Sequence, residues 1–216
     1  KRLNKNFLMF AISNNILRFG KFKTKAGRSS PYFFDMGKFS NSKLLFFLGE
    51  YYSQALLNAE DNGMEKVDCL FGPAYKGISL ASALSASLAS KHNEETHFIY
   101  DRKDQKLHGE KGDIVGTFKN GNTIIVDDVI TAGTAIKNTL VKLEKYNLKI
   151  TSLLVLLDRQ EKGSSSISAA EEMQKEFNID VYSLISISDI IEYVTNTKEF
   201  EKFRDSIIEY KEKYGS

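Results

Sequence analysis

The chain has 216 residues, and its 30 basic and 28 acidic side chains give a net charge of +2, which argues against a partner such as nucleic acid that binds through overall charge. This length supports one substantial hydrophobic core but hardly two, so we expect a single domain over residues 1–216. The single cysteine, Cys69, excludes a disulfide framework within the chain and favours a cytoplasmic location, while the lack of a long apolar run or signal-peptide pattern predicts no membrane association.

The amino-terminal part of the chain begins with a helical pattern and then changes character. Apolar residues at helical spacing predict a helix over residues 4–17, ending near Gly20. Residues 21–39 mix lysines, aromatic residues and turn formers, which indicates short strands and loops. A helix over 42–58 and a buried strand over 67–71 follow.

The rest of the chain alternates strands with helices. The predicted elements are a helix over 76–90, a strand over 96–100, a loop over 101–116, a strand over 123–127 followed by a helix, a strand over 151–157, a helix over 169–177, a strand over 181–187 and two short carboxyl-terminal helices. Such alternation predicts a parallel α/β sheet with right-handed crossovers.

The segment TIIVDDVITAGTA, residues 123–135, places two adjacent acids at the end of a buried strand. Asp127 and Asp128 repel each other, and burial raises the free energy of ionising either, so the pair requires water, a cation or hydroxyl donors nearby. Residues 131–135 offer hydroxyls and open backbone N–H groups before a helix, an arrangement that binds anions. Because an isolated acid pair more often only caps a turn, the assignment depends on the other motifs.

The acid pair and its loop resemble the phosphoribosyl pyrophosphate motif of type I phosphoribosyltransferases, in which apolar residues, two acids and small residues precede T-x-G-x-T or a close variant. Three more segments extend the resemblance: TKAGRSSPYFF at 24–34, FGPAYKG at 71–77 and DRKDQKLHGEKGD at 101–113. Together the four segments resemble orotate phosphoribosyltransferases over nearly the whole chain. The resemblance implies an α/β type I fold with a mostly parallel sheet of about five strands flanked by helices. It divides the domain into a core, residues 41–187, and a hood formed by residues 1–40 and 188–216.

The same resemblance implies transfer of the ribosyl 5-phosphate group from 5-phosphoribosyl 1-diphosphate to orotate in pyrimidine biosynthesis. Such a site must hold the 5′-phosphate, neutralise the leaving diphosphate and tolerate positive charge on the ribose. The acids suit the ribose hydroxyls, and the small-residue loop suits the phosphate. The implied donor-binding residues of this segment are Asp127, Asp128, Val129, Ile130, Thr131, Ala132, Gly133, Thr134 and Ala135. The implied Mg²⁺ is bound mainly by the donor, so no residue is assigned as a dedicated metal ligand.

The resemblance also implies where positive charge meets the diphosphate. Lys25, Tyr75 and Lys76 match donor-binding residues. The charged loop over 101–116, predicted to be mobile, supplies the matching residues Arg102, Lys103, Lys106 and His108, of which the last three join the acid pair as expected catalytic residues. In the family this loop closes over the neighbouring subunit's site, which implies a homodimer with shared active sites. Any one of these lysines alone would be read as a solvated surface residue, and His108 alone as either a proton donor or a neutral loop residue.

Orotate is a flat pyrimidine with a carboxylate, so its pocket needs an apolar or aromatic slot and a fixed cation. Phe33 and Phe34 match the family's orotate-binding pair, Arg159 matches its orotate-contacting arginine, and Thr131 matches a contact between the base and the phosphate loop. Arginine suits this role because its guanidinium binds a carboxylate through two hydrogen bonds. Without the resemblance, the two phenylalanines would be assigned to the core and Arg159 to the surface.

Two positions depart from the family pattern. Leu107 stands where an acid is expected, and Lys111 replaces an expected glycine, so the role of that acid in loop closure or proton handling stays open. Other classes fit less well. A regulatory protein that binds the donor without chemistry would lack the cationic loop, a purine phosphoribosyltransferase would not need Phe33, Phe34 and Arg159 together, and a P-loop phosphotransferase would need a G-x-x-x-x-G-K-[ST] run.

Overall fold

The computed structural model describes residues 2–24, 27–102, 113–118 and 121–216. The strands are β1 (Leu17–Lys23), β2 (Ser29–Phe34), β3 (Cys69–Gly72), β4 (His97–Asp101), β5 (Ile114–Val115), β6 (Asn122–Ile130), β7 (Lys149–Asp158) and β8 (Asp180–Ser186). The α-helices are α1 (Arg2–Ser13), α2 (Ser42–Asp61), α3 (Lys76–His92), α4 (Thr134–Leu143), α5 (Ala169–Phe177), α6 (Ile187–Thr195) and α7 (Arg204–Tyr214).

The main sheet has six strands in the order β5-β4-β3-β6-β7-β8. Five of them run parallel, and the two-residue β5 pairs antiparallel with β4 at the edge. The predicted α/β class with about five parallel strands is therefore confirmed. β1 and β2 form a separate antiparallel ribbon, and α7 packs against β2.

The central strand β6 is apolar because helices cover both faces of the sheet. Ile124 and Val126 pack in the larger core cluster together with Leu80 of α3. Ile125, between them, packs in the second cluster with Ile136 of α4. Successive strand residues point to opposite faces, so a strand buried on both sides reads as an unbroken apolar run. The polar residues that follow β6 therefore emerge at the carboxyl edge of the sheet.

The predicted helix over 4–17 is wrong at its carboxyl end, because α1 stops at Ser13. Asn15 adopts a φ of 56°, in the left-handed region where asparagine is tolerated, and this ends the helix. The backbone N–H of Ile16 then donates to the Ala11 carbonyl at 2.8 Å. Ile16 and Leu17 are fully buried after the turn, so their apolar character reflects burial outside the helix.

The predicted loop over 101–116 is shorter at both ends than the sequence suggests. Asp101 is the last residue of β4 and pairs with Ile114, while Tyr100 pairs with Val115. A two-residue strand is too short to show an alternating pattern, which explains why the sequence did not reveal it. Residues 103–112 lie outside the described residues.

The terminal segments contribute α1, the β1-β2 ribbon, α6 and α7. Their assignment as a hood over the core stays a prediction. In the described part of the chain, none of the helices is long and apolar enough to span a membrane.

Candidate active site

An open cavity of about 790 Å³ lies at the carboxyl edge of the sheet, between the residues that follow β3, β6 and β7 and the β1-β2 ribbon. The edge beyond the carboxyl ends of parallel strands is where open α/β sheets bind ligands. Many residues predicted from the sequence line this cavity. They are Phe33, Phe34, Tyr75, Lys76, Asp127, Asp128, Val129, Thr131, Ala132, Ala135 and Arg159.

Other predicted residues are placed differently. The Ile130 side chain is buried in the second core cluster, so only its backbone is available to a ligand. Arg102, Gly133 and Thr134 are not among the residues that line the cavity. The remaining predicted site residues lie outside the described residues, as do both departures from the family pattern. They are Lys25, Lys103, Lys106, His108, Leu107 and Lys111.

The acid pair is accommodated because its two carboxylates are held by different partners. Asp128, only 8% exposed, accepts a hydrogen bond from Lys76 Nζ at 2.7 Å and one from the Val129 N–H at 3.0 Å. Asp127 Oδ1 accepts from the Asp128 N–H at 2.8 Å. The buried Tyr52 hydroxyl donates to the Asp127 carbonyl at 2.7 Å and so anchors the backbone of the pair to α2.

The buried position of Asp127 disfavours its ionised form. Burial, and then the negative charge of Asp128, raise the pKa of Asp127 from 3.8 to about 7. Asp127 therefore binds its proton more tightly in the folded protein than in the unfolded chain.

This pKa shift predicts a pH dependence of stability. Between about pH 4 and 7, folded Asp127 keeps a proton that the unfolded chain has released, so the free energy of unfolding falls as pH rises through this window. We expect the free energy of unfolding of the wild type to fall relative to that of Asp127→Asn as pH rises. Urea unfolding of both proteins at pH values across this window would measure the difference. A difference that stays constant with pH would contradict the assignment.

The loop after β6 leads directly into α4, with Gly133 as the residue before the helix. Gly133 has a φ of 77°, and an added Cβ would lie 3.1 Å from Met173 Cε and 3.3 Å from Ala169 Cβ of α5. Both the backbone conformation and the close approach to α5 therefore select glycine.

We expect Gly133→Ala to lower the free energy of unfolding by about 1–2 kcal/mol, because alanine is strained at positive φ and crowds α5. Gly27→Ala is a matched control, since Gly27 has the same φ of 77° but an added Cβ there would meet no atom of the described residues within 4 Å. Chemical denaturation of both variants would test this. Equal losses would show that the contact with α5 contributes nothing.

Arg159 lies at the other side of the cavity, buried at the end of β7. Its Nε donates to Glu161 Oε1 at 2.7 Å, and its Nη2 donates to Ser30 Oγ at 3.0 Å and to the Tyr210 hydroxyl at 2.9 Å. Its guanidinium carbon lies 4.4 Å from the centre of the Tyr32 ring. Among the described residues, Nη1 of Arg159 has no hydrogen-bond partner, so one edge of the guanidinium can receive a ligand.

The predicted aromatic pair has one accessible and one buried member. Phe33 is 37% exposed and stacks on Phe22, with ring centres 5.5 Å apart, whereas Phe34 is buried in the larger core cluster. Successive side chains of β2 point to opposite sides of the strand, which explains why Phe33 is exposed and Phe34 is buried. Phe22 also lines the cavity, so the aromatic surface is formed by Phe22 and Phe33 together.

Comparisons with known proteins place this chain in a family. Residues 49–185 match the model of the phosphoribosyl transferase domain. Orotate phosphoribosyltransferase of Proteus mirabilis is 40% identical over 215 residues, which cover 100% of this chain and 99% of the relative. The chain belongs to the orotate phosphoribosyltransferase family.

Solved structures of orotate phosphoribosyltransferases agree with the fold. The crystal structure of the Francisella tularensis protein is 40% identical, has a TM-score of 0.84 and matches 98% of this chain and 100% of its own. The Mycobacterium tuberculosis protein in complex with 5-phospho-alpha-D-ribosyl 1-diphosphate has a TM-score of 0.61 at 15% identity, over 86% of this chain and 98% of its own, and supports the fold alone. The predicted family and fold are thus confirmed.

Sequence reasoning about the orotate phosphoribosyltransferase motifs missed the partners of Arg159. Glu161 is buried and accepts hydrogen bonds from Arg159, from the Tyr210 hydroxyl at 2.7 Å and from Arg28 Nη1 at 2.8 Å. The two guanidiniums therefore share one carboxylate as their hydrogen-bonded counterion. The sequence carries a weak signal for Glu161, because a charged residue stands two positions after Arg159. It carries no signal for Tyr210 on α7, which lies 49 residues from Glu161.

Sequence reasoning also missed the polar face of α4 in this family member. Asn138, Thr139 and Lys142 line the cavity on the same face of the helix as Ala135, which is the one residue of this face that the sequence predicted. Asp101, at the end of β4, lines the same part of the cavity.

The Mg²⁺ that the sequence resemblance implies stays a prediction. Among the described residues, no group of three or more histidine, cysteine, aspartate or glutamate side chains could hold a metal ion. Mg²⁺ prefers oxygen ligands such as the carboxylates of Asp127 and Asp128. The carboxylate of Asp128 is already paired with Lys76.

Proposed function

We propose that this protein transfers the 5-phosphoribosyl group from 5-phosphoribosyl 1-diphosphate to orotate, giving orotidine 5′-monophosphate and diphosphate in pyrimidine biosynthesis. The observation that carries the proposal is that one cavity is lined by the acid pair and small-residue loop after β6 and also by Arg159 and Phe33. A donor and an acidic pyrimidine need these two kinds of surface side by side. The names of the relatives agree with this reaction.

The end of β6 would hold the ribosyl phosphate. We assign the 5′-phosphate to the backbone N–H groups of residues 131–135 at the amino end of α4, where the helix favours an anion. The carboxylates of Asp127 and Asp128 would accept hydrogen bonds from the ribose hydroxyls. They would also stabilise the positive charge that develops on the ribose as its bond to diphosphate breaks.

The turn after β3 would receive the diphosphate. Lys76 Nζ lies 2.7 Å from Asp128, on the cavity side of the acid pair, with its side chain 58% exposed. This lysine can therefore balance both the acid and the leaving group. We assign the same task to Lys25, Tyr75, Arg102, Lys103, Lys106 and His108. Mg²⁺ bound to the donor's oxygen atoms would neutralise part of the diphosphate charge.

Orotate would lie between the aromatic surface and Arg159. Nη1 of the Arg159 guanidinium would donate hydrogen bonds to the carboxylate of orotate, and the exposed part of Phe33 would contact its ring. Glu161, Ser30 and Tyr210 hold the guanidinium in place, so little conformational entropy is lost when the ligand binds. Phe34 and Thr131 complete the proposed pocket.

The remaining parts of the proposal concern the assembly and its location. A homodimer would let the loop of one subunit complete the other subunit's site, in keeping with the family resemblance. A cytoplasmic location fits the single thiol, Cys69, which is buried and unpaired.

The direct test of this function is the absorbance of orotate in the presence of the donor and Mg²⁺. We expect orotate to be consumed, and uracil, hypoxanthine and adenine to remain unchanged under the same conditions. Omission of the donor is the control for nonspecific loss. Turnover of a purine base in place of orotate would overturn the proposal.

A further inference from the structure

Asp101 joins two parts of the cavity through its side chain. Asp101 Oδ1 accepts a hydrogen bond from the Ala74 N–H at 2.6 Å, in the turn that also carries Tyr75 and Lys76. Asp101 Oδ2 accepts from Lys142 Nζ of α4 at 2.7 Å, and the same ammonium donates to the Arg102 carbonyl at 3.0 Å. Both oxygens of the carboxylate are therefore engaged, one by each neighbouring element.

Asp101 places a negative charge at the cavity wall. Asp101 lines the cavity beside the turn assigned to the diphosphate, where an uncompensated negative charge would repel the donor. Its side chain is only 13% exposed, so solvent screens it weakly, and the Lys142 side chain is 30% exposed. The ion pair keeps this part of the cavity free of net negative charge.

We propose that Asp101 and Lys142 are positioning residues for the diphosphate part of the donor. The carboxylate fixes the Tyr75–Lys76 turn through the Ala74 N–H, and Lys142 neutralises that carboxylate. The inference deepens the proposed function and depends on it for the identity of the anion. Neither residue contacts the reacting atoms in this scheme.

The test is a double-mutant cycle with Lys142→Met, Asp101→Asn and the double variant. Asparagine keeps an oxygen for the Ala74 N–H but removes the charge. We expect Lys142→Met to raise the KM for the donor by roughly five- to tenfold, because one unpaired charge remains near the diphosphate, and to leave the KM for orotate unchanged. Asp101→Asn in the same chain should restore the donor KM to within about twofold of the wild type, because the two residues are directly coupled.

Lys149→Met is the matched control. Lys149 also forms an ion pair, with Glu65 at 2.8 Å, but it lies at the amino end of β7, on the opposite edge of the sheet. We expect this variant to keep the wild-type KM for the donor.

The affinity for inorganic diphosphate with Mg²⁺, measured by calorimetry on all four members of the cycle, separates this inference from the proposed reaction. If orotate is not consumed, the proposed function fails, whereas the diphosphate affinities still report the coupling between the two residues. If Lys142→Met caused the same loss of diphosphate affinity in the wild type and in the Asp101→Asn variant, the inference would be overturned. So would a parallel rise in the KM values of donor and orotate, which would indicate a general structural defect.

Discussion

Arg159→Met is expected to raise the KM for orotate by roughly a hundredfold or more, because it removes the charge-assisted hydrogen bonds, worth about 3 kcal/mol, that Nη1 of Arg159 is proposed to donate to the orotate carboxylate. The effect is large because Arg159 is buried and already oriented by Glu161, Ser30 and Tyr210. Steady-state kinetics with orotate varied at saturating donor would measure it. The KM for the donor should change little in comparison.

The control for this prediction is Arg204→Met, which removes an arginine from α7 that pairs with Asp205 on the surface. Its KM for orotate should equal that of the wild type. Arg159→Lys should recover only a small part of the loss, since a lysine ammonium cannot reproduce the planar set of hydrogen bonds to Glu161, Ser30 and Tyr210 that orients the charge. If Arg159→Met raised the KM for the donor and left the KM for orotate unchanged, the carboxylate of orotate would have to bind elsewhere.

Asp128→Asn is expected to lower kcat by roughly a hundredfold to a thousandfold, which is the usual loss when one preorganised electrostatic group is removed from an active site. The substitution takes away a negative charge at the proposed ribose site and leaves Lys76 without its 2.7 Å ionic partner. The measurement is kcat at saturating donor and orotate. Asp127→Asn should also lower kcat, because both carboxylates are assigned to the ribose.

The matched control is Asp180→Asn, which changes an exposed acid at the amino end of β8, on the opposite edge of the same sheet. We expect full activity from this variant. If Asp128→Asn raised only the KM for the donor and left kcat unchanged, Asp128 would bind the ground state and the transition state equally and would not contribute to the chemical step.

The sequence predicted the central elements well where local pattern and burial agree. The helix over 169–177 coincides with α5, and the buried strand at 123–127 lies within β6. A strand covered on both faces and an amphipathic helix each carry their signal within a few neighbouring residues. The position of the site at the carboxyl edge of the sheet was also predictable, because the carboxyl ends of parallel strands lie together.

The parts that the sequence did not reveal depend on contacts between distant residues. The hydrogen bond between Tyr210 and Glu161 and the ion pair between Lys142 and Asp101 have no local pattern, because their partners lie 49 and 41 positions apart in the chain. The end of α1 was missed for another reason. The left-handed conformation of Asn15 overrides a run of apolar residues that would also suit a helix.

The cluster of Arg159, Arg28 and Glu161 has a consequence for substrate selection. On the proposed assignment, the acidic pyrimidine supplies an anion to buried Arg159, whose counterion Glu161 is shared with Arg28. A base without a carboxyl group, such as uracil, would displace water from the guanidinium and offer no counterion in return, which is costly for a charge in so sheltered a position. Discrimination against neutral bases would then arise from charge neutrality rather than from the shape of the ring.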